Sequence, residues 1–201
     1  MRSALRCLVP LALLAVLACQ RVAAPAVVYG PWEEGLTLAF EDPSQPQPQR
    51  FQDRIQIRVA QAAIAPGAPG LVRLDFSSTR GQLRILARHG GGGIDLVDEN
   101  GRILARSLPP GFPDTSSWVD RGTEFTLVGR AAWEGAAVLP ATADPVGVWV
   151  EARPSQGPRR RSLYLPNLGE VESREERNGS WIVVNRLVAM GFTDLPALKR
   201  P

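Results

Sequence analysis

Thiols, histidine and lysine are almost missing from this chain. Its 201 residues include two cysteines, Cys7 and Cys19, one histidine, His89, and one lysine, Lys199. Both cysteines fall among the first twenty residues, so the chain beyond Cys19 can form no internal disulfide and must be held by packing alone. A structural zinc site draws on four Cys or His side chains, which that stretch does not have. Neither an alternating Asp and Asn calcium loop nor the glycine loops that cradle nucleotide phosphates occur, so no metal or cofactor is expected. Also missing is a run of about 20 apolar residues, the length a helix needs to cross a bilayer. Charge of one sign does not dominate: 23 basic residues stand against 20 acidic ones, and two of the basic residues, Arg2 and Arg6, sit at the very start. Nucleic-acid binding needs a basic stripe, and it is not expected here. Sustained spacing of three and four is scarce too, which excludes long amphipathic helices.

What is present begins with a targeting segment. Arg2 and Arg6 give a positive start, and Leu8 to Ala18 form an apolar stretch broken by Pro10. It ends Val16-Leu17-Ala18-Cys19, which resembles the lipobox of bacterial lipoproteins, with a small residue before the cysteine. Val16 and Leu17 depart from the residues that family prefers at those places. The resemblance implies that residues 1–18 are a signal peptide. It also implies that Cys19 is the lipid attachment site, carrying diacylglycerol and palmitate, and that Gln20 directs the protein to the outer membrane, facing the periplasm. The alternative is an ordinary secretory leader cut after Ala24, where Val22-Ala23-Ala24 fits a small-residue cleavage pattern. Small apolar residues and prolines up to Pro31 suggest that 19–31 is the lipidated N-terminus and a flexible tether, leaving 32–201 as a single β-rich domain.

That domain reads as about a dozen short strands. Leu36, Leu38 and Phe40 alternate with Thr37, Ala39 and Glu41, and Ile55, Ile57 and Val59 alternate with arginine and glutamine, the period of a strand with one buried face. Further strands are expected at 71–76, 83–87, 94–97, 102–105, 125–128, 131–138, 146–152, 162–165, 170–174 and 181–187. Loops are expected at 42–49, for its prolines, and at 65–70. Asn100-Gly101 and Asn178-Gly179 supply the positive φ of tight hairpins, and 118–123 suggests a helical turn. Short polar connections favour antiparallel pairing. The fold class is therefore mostly β, a curved antiparallel sheet forming a half-barrel, barrel or sandwich. The segment Tyr164-Leu165-Pro166-Asn167-Leu168-Gly169-Glu170-Val171 resembles a turn that recurs in uncharacterised β-rich envelope lipoproteins, and the resemblance implies a curved sheet of the kind that lipoprotein carriers use.

Chemistry is harder to find. His89 precedes Gly90-Gly91-Gly92-Gly93, a string like the HGGG loop of esterases, but that enzyme also needs a G-x-S-x-G elbow and a histidine base of its own. The reading adopted is a flexible glycine turn with an exposed histidine whose replacement is neutral. Among neighbouring carboxylates, Glu33 with Glu34 and Glu175 with Glu176 point to opposite faces of a strand, so only Glu170 and Glu172 share a face. That face is expected to be solvated. Arg159-Arg160-Arg161 reads as a solvated loop, with anionic lipid headgroups as its other use. Trp32, Trp118, Trp133, Trp149 and Trp181 are expected in the core, or lining a pocket if the sheet curls. No catalytic residues are assigned. The expectation is a noncatalytic envelope lipoprotein, held to the membrane through acylated Cys19, that binds a hydrophobic ligand such as a lipid or an envelope protein partner. The alternatives are an envelope hydrolase acting on a glycan or ester, and a structural part of an outer-membrane assembly.

Overall fold

The computed structural model describes residues 27–63, 70–140 and 143–192, so Cys19 and the leader lie outside the described residues. The chain forms β1 (Thr37–Glu41), α1 (Gln47–Gln52), β2 (Ile55–Ala63), β3 (Gly70–Ser78), β4 (Gly81–Gly90), β5 (Gly93–Val97) and β6 (Ile103–Leu108). It continues with β7 (Ser117–Asp120), β8 (Thr123–Ala132), β9 (Val146–Pro154), β10 (Arg160–Leu165), β11 (Gly169–Arg177) and β12 (Ser180–Gly191).

All twelve strands belong to one sheet in the order β6-β5-β4-β3-β2-β1-β12-β11-β10-β9-β8-β7. Two meanders therefore meet at the antiparallel β1–β12 pair, where Thr37 faces Gly191 and Glu41 faces Arg186. The mostly β, antiparallel expectation holds, and the sheet is a nearly closed barrel. Its free edges, β6 and β7, approach each other where the Arg106 N–H donates to an Asp120 carboxylate oxygen at 3.2 Å. Closure follows from register shifts within the β1–β12, β2–β3, β5–β6, β8–β9, β10–β11 and β11–β12 pairs, because a bulge adds a residue to one strand, bends it and deepens its twist.

Alternation places Leu38, Phe40, Val59, Val72, Leu74, Ala87, Val148 and Val150 in one buried cluster. Strand β1 is buried along its whole length, as befits a strand with β2 on one side and β12 on the other. Burial at about 25 cal/mol per Å² of apolar surface makes these strands, without disulfides, the main source of stability.

Several local expectations change. The tether expected to run to Pro31 ends sooner: Tyr29 is 6% exposed and sits in the core, its ring edge-on to Phe112 at 4.9 Å. The helical turn expected at 118–123 is β7 and the start of β8, joined through Arg121 and Gly122, both at positive φ. The only helix among the described residues, α1, lies partly in the expected loop, with Pro46 and Pro48 at its first turn, where a missing N–H costs nothing. The strand expected over 131–138 stops at Ala132. Beyond it Trp133 folds back, its indole N–H donating to the Ala137 carbonyl at 3.3 Å and its ring lying where a Cβ on Gly135 would be. Asn178 and Gly179 do form the positive-φ hairpin pair. At 98–101 only Gly101 has positive φ, and the Asp98 carboxylate organises the turn by accepting from the N–H groups of Asn100 and Arg102 at 2.9 and 2.8 Å.

Candidate functional site

The curled sheet lines a half-open cavity of about 300 Å³. Leu38 and Phe40 of β1, Ile57 of β2, Leu74 and Phe76 of β3 and Ile85 and Ala87 of β4 line its apolar walls. Each strand presents alternate residues to the lumen, so the period-two pattern that builds the strands also builds the wall. A second, polar cavity of about 420 Å³ shares Phe40, Ile55 and Asn185 with the first. Arg80, Arg160, Arg177, Glu41, Asp53 and Glu175 line it. The lumen thus holds an apolar chamber bordered by a charged vestibule, with Phe40, Ile55 and Asn185 between them.

The register sets the ends. Along the β3–β4 hairpin Ser78 pairs with Gly81 beside the vestibule, and Gly70 pairs with His89 at the far end. Eight residues separate Gly70 from Ser78, about 26 Å at the rise of a strand. Residues 27–32 cover the far end, where the Asn167 N–H donates to the Val28 carbonyl at 2.6 Å and the Trp32 indole donates to Asn167 at 2.9 Å. The Tyr164 to Val171 turn is what they dock on. Gly169 has φ +82°, and a Cβ there would sit 2.9 Å from Pro31 Cδ, so glycine is needed both for the bend and for the close approach.

His89 lies at this covered end, and the exposed histidine expected from the sequence is corrected. It is 2% exposed, on β4 rather than in a loop, and it lines the chamber. Burial lowers its pKa from 6.5 to about 4, so it is neutral at pH 7. Among the described residues neither ring nitrogen has a hydrogen-bond partner. The glycines after it are not a flexible turn. A Cβ on Gly92 would stand 2.3 Å from the Phe112 carbonyl oxygen, and one on Gly93 2.8 Å from Pro109. The Gly111 N–H also bonds the Gly91 carbonyl at 2.6 Å. Glycine lets the segment after β6 lie directly on the β4–β5 turn, and that contact helps to bury His89.

Glu170 and Glu172 do not share a face. The register moves from Leu163 opposite Glu172 to Tyr164 opposite Glu170, skipping Val171, and this bulge reverses the expected alternation. Glu170 turns to the lumen, accepting from Arg160 at 3.2 Å and from the Tyr164 hydroxyl at 3.5 Å. Burial, then the nearby Glu170 charge, raises the Tyr164 pKa. Glu172 turns outward and is not solvated: it is 4% exposed and held by Arg174 at 2.6 Å and Arg186 at 2.7 Å.

The arginine triplet is only partly the solvated loop expected: β10 starts at Arg160, and all three side chains, though still partly exposed, have carboxylate partners. Arg160 enters the lumen to meet Glu170 and Ser173. Arg159 and Arg161 bind the outward Glu151 and lie over the Trp181 ring, Arg161 at 4.3 Å. Glu151 is 2% exposed and also accepts from Arg153. Burial works against its charge, yet hydrogen bonds from Arg159, Arg153 and Arg161 hold its pKa down at about 2. Arg174 covers Trp149 at 4.7 Å. Trp118 stacks on Phe125 at 5.0 Å. No tryptophan lines the chamber, whose aromatic rings are Tyr29, Phe40, Phe76 and Tyr164.

No protein-family model and no curated protein sequence matches this chain. Solved structures do. A protein from Bacteroides fragilis described as exported, with a YmcC-like fold, superposes with a TM-score of 0.50 at 14% identity, over 82% of this chain and 99% of its own. A protein from Parabacteroides distasonis described as a lipoprotein gives a TM-score of 0.46 at 12% identity, over 84% of this chain and 100% of its own. At such identities the likeness to the first is one of fold.

Proposed function

We propose that this protein is an envelope lipoprotein, anchored through acylated Cys19, whose barrel holds a hydrophobic ligand without transforming it. The observation that carries the reading is the apolar chamber with a charged vestibule beside it. Ligand sites are concave and mostly apolar, with a few polar groups, at volumes from about 300 Å³ upward. A lumen graded from apolar to charged suits an amphipathic molecule, its chain inside and its polar end among Arg80, Arg160 and Arg177. The description of the Bacteroides fragilis protein as exported agrees with the leader read from residues 1–18. Eight residues separate Cys19 from Val27, a reach of at most about 28 Å, so the covered end of the barrel would face the bilayer and the vestibule would face away. The test is native mass spectrometry of the purified protein for a co-purifying lipid, together with titration of a fluorescent naphthalene sulfonate dye. A bound lipid, or dye fluorescence that added lipid quenches by displacement, is expected. Protein that carries no lipid and binds no dye would end the reading.

A further inference from the structure

A neutral histidine with two unpaired nitrogens is a poor choice for an apolar wall. Leucine would fill similar space, whereas a buried polar group without a partner costs about 1–3 kcal/mol. Among the described residues no group hydrogen-bonds the ring, although the Ser107 side chain also lines the chamber. Ala87, Ile94 and Leu96 surround it in the chamber lining, and its Cε1–Nδ1 edge lies against Gly30, where a Cβ would come within 2.4 Å of Cε1. The absence of a side chain at Gly30 makes room for the ring. Several other polar groups of the lumen do have partners: Tyr164 and Arg160 meet Glu170, Arg54 meets Glu41, and Arg80 meets Asp53.

Resting on the reading that the chamber holds an apolar ligand, we propose that His89 is the contact that recognises it. The ligand is an aliphatic chain carrying an uncharged oxygen, a hydroxyl or a carbonyl, that pairs with the His89 ring at the covered end. A neutral imidazole offers one N–H and one lone pair, which matches an alcohol or ester oxygen and leaves a plain hydrocarbon unable to relieve either nitrogen. A cavity of about 300 Å³ is large enough to take an aliphatic chain of several carbons. A longer chain or a polar head would extend toward the vestibule.

The experiment uses the full chain carrying Cys19→Ala, which keeps acyl groups and detergent away from the lumen. The naphthalene sulfonate dye is displaced with 1-decanol or with decane, in the parent and in His89→Leu. The expected result is that His89→Leu weakens decanol about tenfold, the scale of one lost hydrogen bond with its unpaired partner, and leaves decane unchanged or tighter. His89→Gln, which keeps a donor and an acceptor, should restore the preference. Because His89 is the only histidine, its ring nitrogens are also assignable by NMR in the unmutated ring, and decanol should shift them where decane does not. Equal changes for the two compounds, with unmoved ring nitrogens, would overturn the inference while leaving the chamber a ligand site. Failure of both compounds to displace dye from the parent would overturn the chamber reading as well.

Discussion

Mild acid should destabilise this protein through one side chain, and the size of the effect follows from its burial. His89 has an ordinary pKa of 6.5 and a folded pKa of about 4. Between those values the unfolded chain binds a proton that the folded one refuses. The stability His89 permits is therefore complete above pH 6.5 and is lost as pH falls toward 4. At 1.36 kcal/mol per pH unit the whole window is worth about 3 kcal/mol, of which about 2 kcal/mol is gone by pH 5. Glu151 acts in the same direction at lower pH, since its folded pKa of about 2 lies below the ordinary 4.5. Its contribution is present above pH 4.5 and disappears below it, so the interval from pH 7 to pH 5 isolates the histidine. Urea unfolding of the parent and of His89→Leu at the two pH values measures the difference. The parent should lose about 2 kcal/mol more than the variant, or about 4–8 °C in melting temperature for a domain of this size. At pH 7 the variant should be at least as stable as the parent, having lost two unpaired nitrogens. Equal losses in the two proteins between pH 7 and pH 5 would mean that His89 is not a buried neutral ring.

One truncation and two substitutions probe the rest of the molecule. A chain beginning at Pro31 should be about 3–5 kcal/mol less stable than one beginning at Val27, the scale of an emptied aromatic site, because it lacks Tyr29 against Phe112; equal denaturant midpoints would show that the 27–30 segment adds no stability. Glu151→Gln leaves Arg153, Arg159 and Arg161 without their shared carboxylate, and because those guanidinium groups are partly exposed the cost should be about 1–3 kcal/mol in urea unfolding. Cys19→Ala should move the processed protein from the membrane fraction to the soluble fraction, since more than one acyl chain is what makes such anchoring durable; a processed variant that stays with the membrane would refute the lipid attachment.

The strands were legible because their signal is local. A wall that is apolar on one face writes period two into Ile55-Gln56-Ile57-Arg58-Val59, and each neighbour confirms the next. The bulge at Val171 was not legible. Nothing in Gly-Glu-Val-Glu distinguishes a regular strand from one that gains a residue, and a single extra residue sends Glu170 and Glu172 to opposite faces. The burial of His89 was hidden for a different reason. Its cover comes from residues 27–32 and from the segment after β6, both distant in sequence. A trace was available even so: three consecutive glycines are what another backbone needs in order to pass within contact distance, and Gly91, Gly92 and Gly93 receive Pro109 to Phe112 in that way.

Several of the departures from local expectation meet around one cavity. On the outward face the rules are kept: Glu151 and Glu172 are buried carboxylates with arginines bound to them, and Trp149 and Trp181 have guanidinium groups over their rings. In the lumen they are broken at one place. His89 has no partner, Gly30 yields space to it, Glu170 is turned inward by a bulge beside Tyr164, and Gly169 holds a left-handed turn against Pro31. All of these residues line the same 300 Å³ chamber. A fold optimised only for stability would fill that space with leucine and valine in regular register. Local rules broken together around one cavity are the pattern expected where a protein gives up stability for binding, and this supports the proposed site at the covered end of the chamber over one on the outer arginine and tryptophan face.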